Sequence, residues 1–493
     1  GAFMIEGFSW YLSYIVVYFA IMFGIGFYYF MKVKSADDYL IGGWNMGFWP
    51  IVGTVISTWC GASVFIGTVG LAFNVGMSAY LRFSFASIFF TLLLIIVFGK
   101  CLRRQRLYTL ADLFGQRFGP KVGIIPSILS AFIYAIPTTA MQYIAMNTIW
   151  TTIFGLDPTT GLILSTVLIF AFTVLGGLPG TIITDALQAI IIVTGIIILA
   201  MATVKFAGGF EHIIEVTPPE YLSPAGPFGY QEVFLYFLSV GPFYLMWQSS
   251  WQRIFAAKTE KISFRANVTA VLICSFILLM PCIIGVASRL FLPADINGDM
   301  IFSRVVKDLL PPYIGGFIYC ALLAALVTGA DSFILQGSSS LTHDLYRRLI
   351  NPDATNKQIL FVSRITVLFV ALAAFIVAMY FSGILAIYQW VLRLTATTLV
   401  LPFLATMFVK RTTKTGVLCG MVGGLVSTLI WPLLGITFDQ TIFGFLFSFL
   451  GLFFGSMLSK HSPEEFPAAV MWENLPCANA EPECNSVYAD KLD

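Results

Sequence analysis

Apolar residues run through this chain in blocks of about twenty, the length a helix needs to cross the hydrocarbon of a bilayer, and the polar residues gather in the gaps between them. Thirteen such runs stand out, at about 8–31, 48–74, 79–99, 122–154, 161–178, 181–205, 231–255, 267–292, 313–342, 361–382, 385–409, 415–436 and 440–459. They predict an all-α polytopic membrane protein, with one membrane domain over 1–460 and a polar tail over 461–493. The second and seventh runs are interrupted at matching places, Gly53 to Ser63 and Ser239 to Ser250, and five spans separate their starts. Interrupted helices in corresponding positions are the sequence sign of an inverted repeat whose site lies at the midplane. Unwound backbone there offers carbonyls to a cation and helix N-termini to an anion.

The ninth run breaks the pattern in a second way. Between Ala324 and Ser340 it holds Thr328, Asp331, Ser332 and a row of further hydroxyls. A bare carboxylate at bilayer depth costs several kcal/mol unless it faces a cavity, an ion or a partner. Thr328 and Asp331 or Ser332 are three to four residues apart, so they share one helix face, and oxygen ligands on one face suit a hard cation. Of the 25 acidic residues only Asp331 and Asp185 fall well inside runs. Asp185 also suits the start of its own helix, where the dipole favours a carboxylate.

Composition agrees with the pattern. The chain is 58% hydrophobic and 11% charged, against about 25% charged in soluble domains, and a net charge of +2 gives no argument for nucleic acid. Placement of the charge is more telling. With loops alternating, 21 Lys and Arg (Arg253 among them) fall on one side, against only Lys205, Arg289, Arg304 and Lys307 on the other. The positive-inside rule then predicts a multi-pass protein of the plasma (inner) membrane with the N-terminus outside and the C-terminus cytoplasmic. The first run is long enough to span and has Lys32 and Lys34 after it, unlike a cleavable signal. Six cysteines lie in or beside apolar runs as small hydrophobes, and only Cys477 and Cys484, in the tail, are free to pair. His212, His343 and His461 lie near span ends or in loops and form no catalytic triad or metal motif, which argues against an enzyme. A channel would want a continuous polar lining, and a sensor a soluble output module; neither pattern is present.

Four stretches together carry a resemblance: Asp38 to Gly43, Thr184 to Gln188, Ala324 to Ser332, and His343 to Tyr346. In this order they resemble the sodium/solute symporter family, from about residue 10 to 435. The resemblance implies a LeuT-like fold of five plus five helices, with core repeats at about 48–205 and 231–409, one leading helix and two trailing ones. It implies Na+ as the coupling ion, held by the carbonyls of Ser57, Cys60 and Ala325 and the hydroxyl of Thr328. The family usually has a second hydroxyl after that threonine, and here the position is Gly329; a water, Asp331 or Ser332 would have to supply the missing oxygen. A second ion site, present in some members, would use Asp185, Thr328 and Ser332.

Within the family, the stretches Ser57 to Gly61, Trp247 to Arg253, Gly329 to Ser332 and Asn356 to Thr366 are most similar to the high-affinity choline transporter branch. That branch implies a quaternary ammonium substrate among Trp59, Tyr134, Trp247 and Gln248, and aromatic faces are what such a cation binds. Arg82 and Arg393, inside runs, have no counterpart there and suit a substrate carboxylate. The expected function is sodium-coupled symport of a small organic solute such as choline. The alternatives are a carboxylate-bearing solute (betaine, amino acid or organic acid), proton coupling, and, from a different class, a channel.

Overall fold

The computed structural model describes residues 2–381, 383–462 and 465, so Cys477 and Cys484 lie outside the described residues. Apart from one isolated bridge between Met46 and Ala257, regular structure in them is helical. Eleven helices are long and apolar enough to span a membrane, and a pair bent by 50° makes a twelfth. In chain order they are α1 (Ala2–Lys32), the bent pair α2a (Phe48–Trp59) and α2b (Ser63–Val75), α3 (Tyr80–Arg104), α4 (Pro120–Phe154), α5 (Pro158–Leu175) and α6 (Gly177–Phe206). The seventh predicted run is split into α7a (Tyr230–Val240) and α7b (Gln248–Ala256), each too short to span alone. Then come α8 (Glu260–Ser288), α9 (Pro312–Ile350), α10 (Asn356–Tyr380), α11 (Ile384–Phe408), α12 (Lys414–Leu434) and α13 (Gln440–Leu458). This is the LeuT-like arrangement: α2–α6 and α7–α11 are the two repeats, α1 leads and α12–α13 trail.

Local chemistry explains each break. In α2 the last turn ends at Cys60 (φ −84°, ψ 58°), and Gly61 follows. In α7 a single tight turn, Gly241–Leu245, separates the halves, and Pro242 withholds a backbone donor from any continuous helix. The sequence pattern places a loop between runs 161–178 and 181–205, whereas α5 and α6 almost join. They turn at Gly177 (φ 57°, ψ −159°), with Pro179 two residues on. A Cβ at Gly177 would lie 2.4 Å from the buried Tyr39 ring, so both space and backbone conformation require glycine there.

Helix α9 is the axis of the molecule. Its most apolar stretch is wholly buried, and it packs against α1, α2a, α4, α6 and α10. Helices α12 and α13, by contrast, expose most of their surface. They touch their neighbours backbone to backbone: a Cβ at Gly424 would lie 2.1 Å from the Thr397 carbonyl oxygen of α11, and one at Gly451 2.4 Å from that of Cys419. Gly424→Ala should therefore force α12 off α11 and lower the thermal unfolding midpoint, costing roughly 1–3 kcal/mol. Gly24→Ala, where nothing lies within 4 Å, should leave that midpoint unchanged.

Candidate ion and substrate site

Where α2a ends, its last carbonyls lose their helical donors, and α9 meets them. The Thr328 hydroxyl donates to the Ser57 carbonyl at 3.1 Å and to the Ala325 carbonyl of its own helix at 3.0 Å. Three of the four predicted ion ligands thus touch one another, and the fourth, Cys60, is the residue on which α2a stops.

One turn deeper, α2a, α6, α7b and α9 share a buried polar cluster. Asp185 accepts from Thr54 at 2.8 Å, and its main-chain carbonyl accepts from Ser57 at 2.6 Å. Arg253 of α7b reaches into the same place. Its Nη2 donates to Ser332 at 2.7 Å and to Thr58 at 3.1 Å, and its Nε donates to Thr54 at 3.3 Å. The guanidinium is 3.8 Å from the Asp185 carboxylate, and both side chains are essentially inaccessible. The sequence pattern counts Arg253, near the end of run 231–255, with the basic residues of the arginine-rich side; the break at 241–247 instead swings α7b inward and buries it. Asp331 accepts from Thr181 at 3.3 Å. Asp185 and Asp331 each keep Oδ1 without a hydrogen-bond partner. With both acids ionised, two negative charges face one positive charge, which favours a further cation.

Above the breaks lies a small cavity of ≈ 10 Å³, lined among others by Trp59, Gln142, Tyr244, Trp247, Phe333 and Tyr388. Trp59 stacks on Tyr244 (centroids 6.0 Å apart, planes at 15°) and meets Trp247 edge-on at 5.9 Å. Tyr244 and Trp247 are 5.6 Å apart, and the Tyr244 hydroxyl meets that of Tyr388 at 2.9 Å. A space of this size holds roughly one water, so a solute enters only as these rings separate.

The other predicted residues are dispersed. Tyr134 stands behind the cavity wall, stacked on Phe243 at 5.1 Å and edge-on to Phe333 at 5.5 Å. Gln248 is engaged away from the cavity, accepting from Ser130 and donating to Ser340, each at 3.0 Å. Arg393 pairs with Asp439 at 3.5 Å, tying α11 to the N-cap residue of α13. Arg82 is 1% exposed, pairs through Nη1 with Glu232 at 2.9 Å and lies over the rings of Phe228 and Tyr236, while its Nε and Nη2 have no hydrogen-bond partner. Two residues that sequence reasoning did not single out line the cavity: Tyr244, inside the broken stretch, and Gln142, an amide in an otherwise apolar run.

A second polar cluster closes the arginine-rich end. Asp112, at the third position of the short helix Leu110–Phe118, accepts from the Tyr108 N–H at 2.8 Å and from the Thr109 N–H at 3.2 Å. It also meets His343 and Arg348 of α9, each at 3.0 Å. Burial works against its ionisation, but Arg348 and His343 beside it hold the carboxyl well below the usual carboxylate range. Asp344 accepts from Thr109 at 2.6 Å and from Ser127 of α4 at 3.0 Å. Asp112, His343 and Asp344 are close enough to share a metal, yet each carboxylate already has its own donors. The arrangement works as a latch between α9, α4 and the short helix.

Comparison with known proteins bears on the family and the fold. The family model of the sodium:solute symporter family matches residues 39–424. The chain is 24% identical to a sodium/pantothenate symporter of Haemophilus influenzae (90% of this chain, 93% of that protein) and 27% identical to a sodium/proline symporter of Salmonella typhimurium (95% of each). It is 25% identical to the human high affinity choline transporter 1, over 86% of this chain and 76% of that protein. Among solved structures it is similar to a Na+-coupled sialic acid symporter in a substrate-bound outward-open state (TM-score 0.80, 19% identity, 92% of this chain and 98% of that one). It is also similar to Mhp1, a nucleobase-cation-symport-1 transporter (TM-score 0.59, 14% identity, 91% and 96% covered). At such identities these structures bear on the fold alone.

The buried pair makes a sharp expectation. Arg253→Gln strands Asp185 without its counter-charge and should cost about 3–5 kcal/mol, read as a lowered unfolding midpoint. Adding Asp185→Asn should recover much of that loss, and a double variant as unstable as the sum of the two would disprove the pairing.

Proposed function

This chain belongs to the sodium:solute symporter family, and from that membership we propose that it carries a small solute with a quaternary ammonium head, such as choline, together with sodium by alternating access. The observation that carries this reading is the adjacency of two unlike sites on the same pair of breaks. Trp59, Tyr244 and Trp247 form three aromatic walls, each contributing roughly 0.5–2 kcal/mol toward a cation that has no hydrogen-bond donors. Cys60, one residue past Trp59, belongs to the oxygen set of Ser57, Cys60, Ala325 and Thr328, which suits sodium. Each ligand bound where α9 meets the break in α2 favours the other, and that coupling is reciprocal. Similarity to the choline transporters supports the substrate class. In the same reading residues 1–460 are the symporter domain and 461–493 a cytoplasmic tail, with the N-terminus outside.

A second reading has its own support. Arg82 keeps a buried Nε and Nη2 without a partner, the edge with which a guanidinium grips a carboxylate. Among the similar proteins are symporters of pantothenate and proline. On this reading the solute carries a carboxylate and Arg82 receives it.

The deciding experiment crosses choline, betaine, carnitine, proline, sugars and organic acids with sodium, potassium and acidic pH, reading thermal stabilisation of the purified protein. Sodium-dependent stabilisation by choline, lost in Trp59→Ala and Trp247→Ala, is the expected result; equal loss for uncharged solutes would disprove the aromatic cage. Stabilisation only by carboxylates, abolished in Arg82→Gln, would establish the second reading. Thr328→Ala should raise the sodium concentration for half-maximal effect roughly tenfold, and acid replacing sodium would overturn sodium coupling.

A further inference from the structure

Gly329 stands where the family resemblance calls for a hydroxyl, and the side chain facing that gap is Gln142 of α4. We propose that the Gln142 carboxamide oxygen is a sodium ligand, supplied across the helix interface in place of the hydroxyl absent at 329; this rests on the sodium reading above. Gln142 is 1% exposed, and its Oε1 accepts from the Ala62 N–H at 2.9 Å, just past the break in α2. Its Nε2 donates to the Thr138 carbonyl at 3.3 Å. The two partners fix which end is which, since only the oxygen can accept and only the nitrogen can donate.

The surrounding glycines fit this one group. A Cβ at Gly329 would lie 3.1 Å from Gln142 Oε1 and 3.3 Å from its Cδ, and a Cβ at Gly61 would lie 3.2 Å from the same oxygen. Any side chain at either position presses on the carboxamide, so one glycine in the break of α2 and one on α9 make a slot for it. An amide oxygen has two lone pairs. The Ala62 N–H takes one, and the other remains for a hard cation, which amide oxygens ligate well. Gly329 directly follows Thr328, whose hydroxyl already joins the Ser57 and Ala325 carbonyls. Gln142 also lines the aromatic cavity beside Trp59 and Trp247. Its side chain therefore borders both Gly329, beside the ion ligand Thr328, and the aromatic cavity, a shared wall through which the two can couple.

The test measures the sodium concentration for half-maximal thermal stabilisation, in the absence of solute, for wild type, Thr328→Ala, Gln142→Met and Gln142→Ala/Gly329→Ser. Methionine keeps the length of glutamine and fills the slot without a hard oxygen, but gives up the bond to the Ala62 N–H, so the unfolding midpoint without sodium is read beside each titration to separate a folding loss from a lost ligand. Gln142→Met should raise the half-saturating sodium concentration roughly tenfold or more. The double variant, which clears the slot and restores a hydroxyl at 329, should return most of the way to wild type. An unchanged sodium response in Gln142→Met, with Thr328→Ala shifted, would overturn the role of Gln142 and leave the sodium site standing. A double variant no better than Gln142→Met would overturn the replacement, and no shift in either single variant would sink the sodium reading itself.

Discussion

A helix that stops inside a membrane must find new partners for the backbone groups it releases, because lipid supplies none. The architecture of this protein depends on how that requirement is met at two places. At the end of α2a the Thr328 hydroxyl and the Gln142 carboxamide meet the Ser57 carbonyl and the Ala62 N–H. In α7 the tight turn at 241–245 lets α7b start afresh, so its first residues point new side chains inward. Both solutions draw on α9 or α4, which is why these two helices are among the most deeply buried of the spans.

The second demand is electrostatic. Arg253, Asp185 and Asp331 share a region closed to solvent, held there by the Arg253–Asp185 pair and by the hydroxyls around them: Thr54, Thr58, Thr181 and Ser332. Those hydroxyls come from α2a, α6 and α9, so the cluster ties the three helices to α7b as firmly as apolar packing does. It also sets the depth of the aromatic walls, since Trp59 follows Thr58 and Trp247 precedes α7b directly. On the proposed function, the walls that would meet a solute and the oxygens that would hold an ion are thus built on one polar framework.

Much of this was legible in the chain. The breaks in the second and seventh runs announced themselves through Gly53 to Ser63 and through Gly241 and Pro242, and Asp185 and Asp331 stood out because acids are rare in apolar runs. Arg253 was not legible. A basic residue at the end of a span looks like a positive-inside anchor, and only the redirected path of α7b turns it into a core residue. Gln142 was hidden for the opposite reason: a neutral amide in a long apolar run carries no charge signal, and its importance comes from two glycines far away in sequence. Gln248, singled out by its motif, bonds to Ser130 and Ser340 rather than to the cavity. Motif position alone does not say which way a side chain turns at the start of a helix.

Helix α9 carries Thr328 near its middle and Asp344 near its end, sixteen residues apart in one helix, or roughly 24 Å at 1.5 Å per residue. It is therefore a lever with Thr328 near the fulcrum and the Asp112–His343–Asp344 latch at the tip. A tilt of only about 5° would displace the tip by roughly 2 Å. Hydrogen bonds of 2.6 to 3.0 Å, such as those from Thr109 and Ser127 to Asp344, do not survive such a displacement. Small movements around Thr328 are in this way magnified into an all-or-nothing event at the far end, and the fastening there acts as a threshold on the swing of the rod.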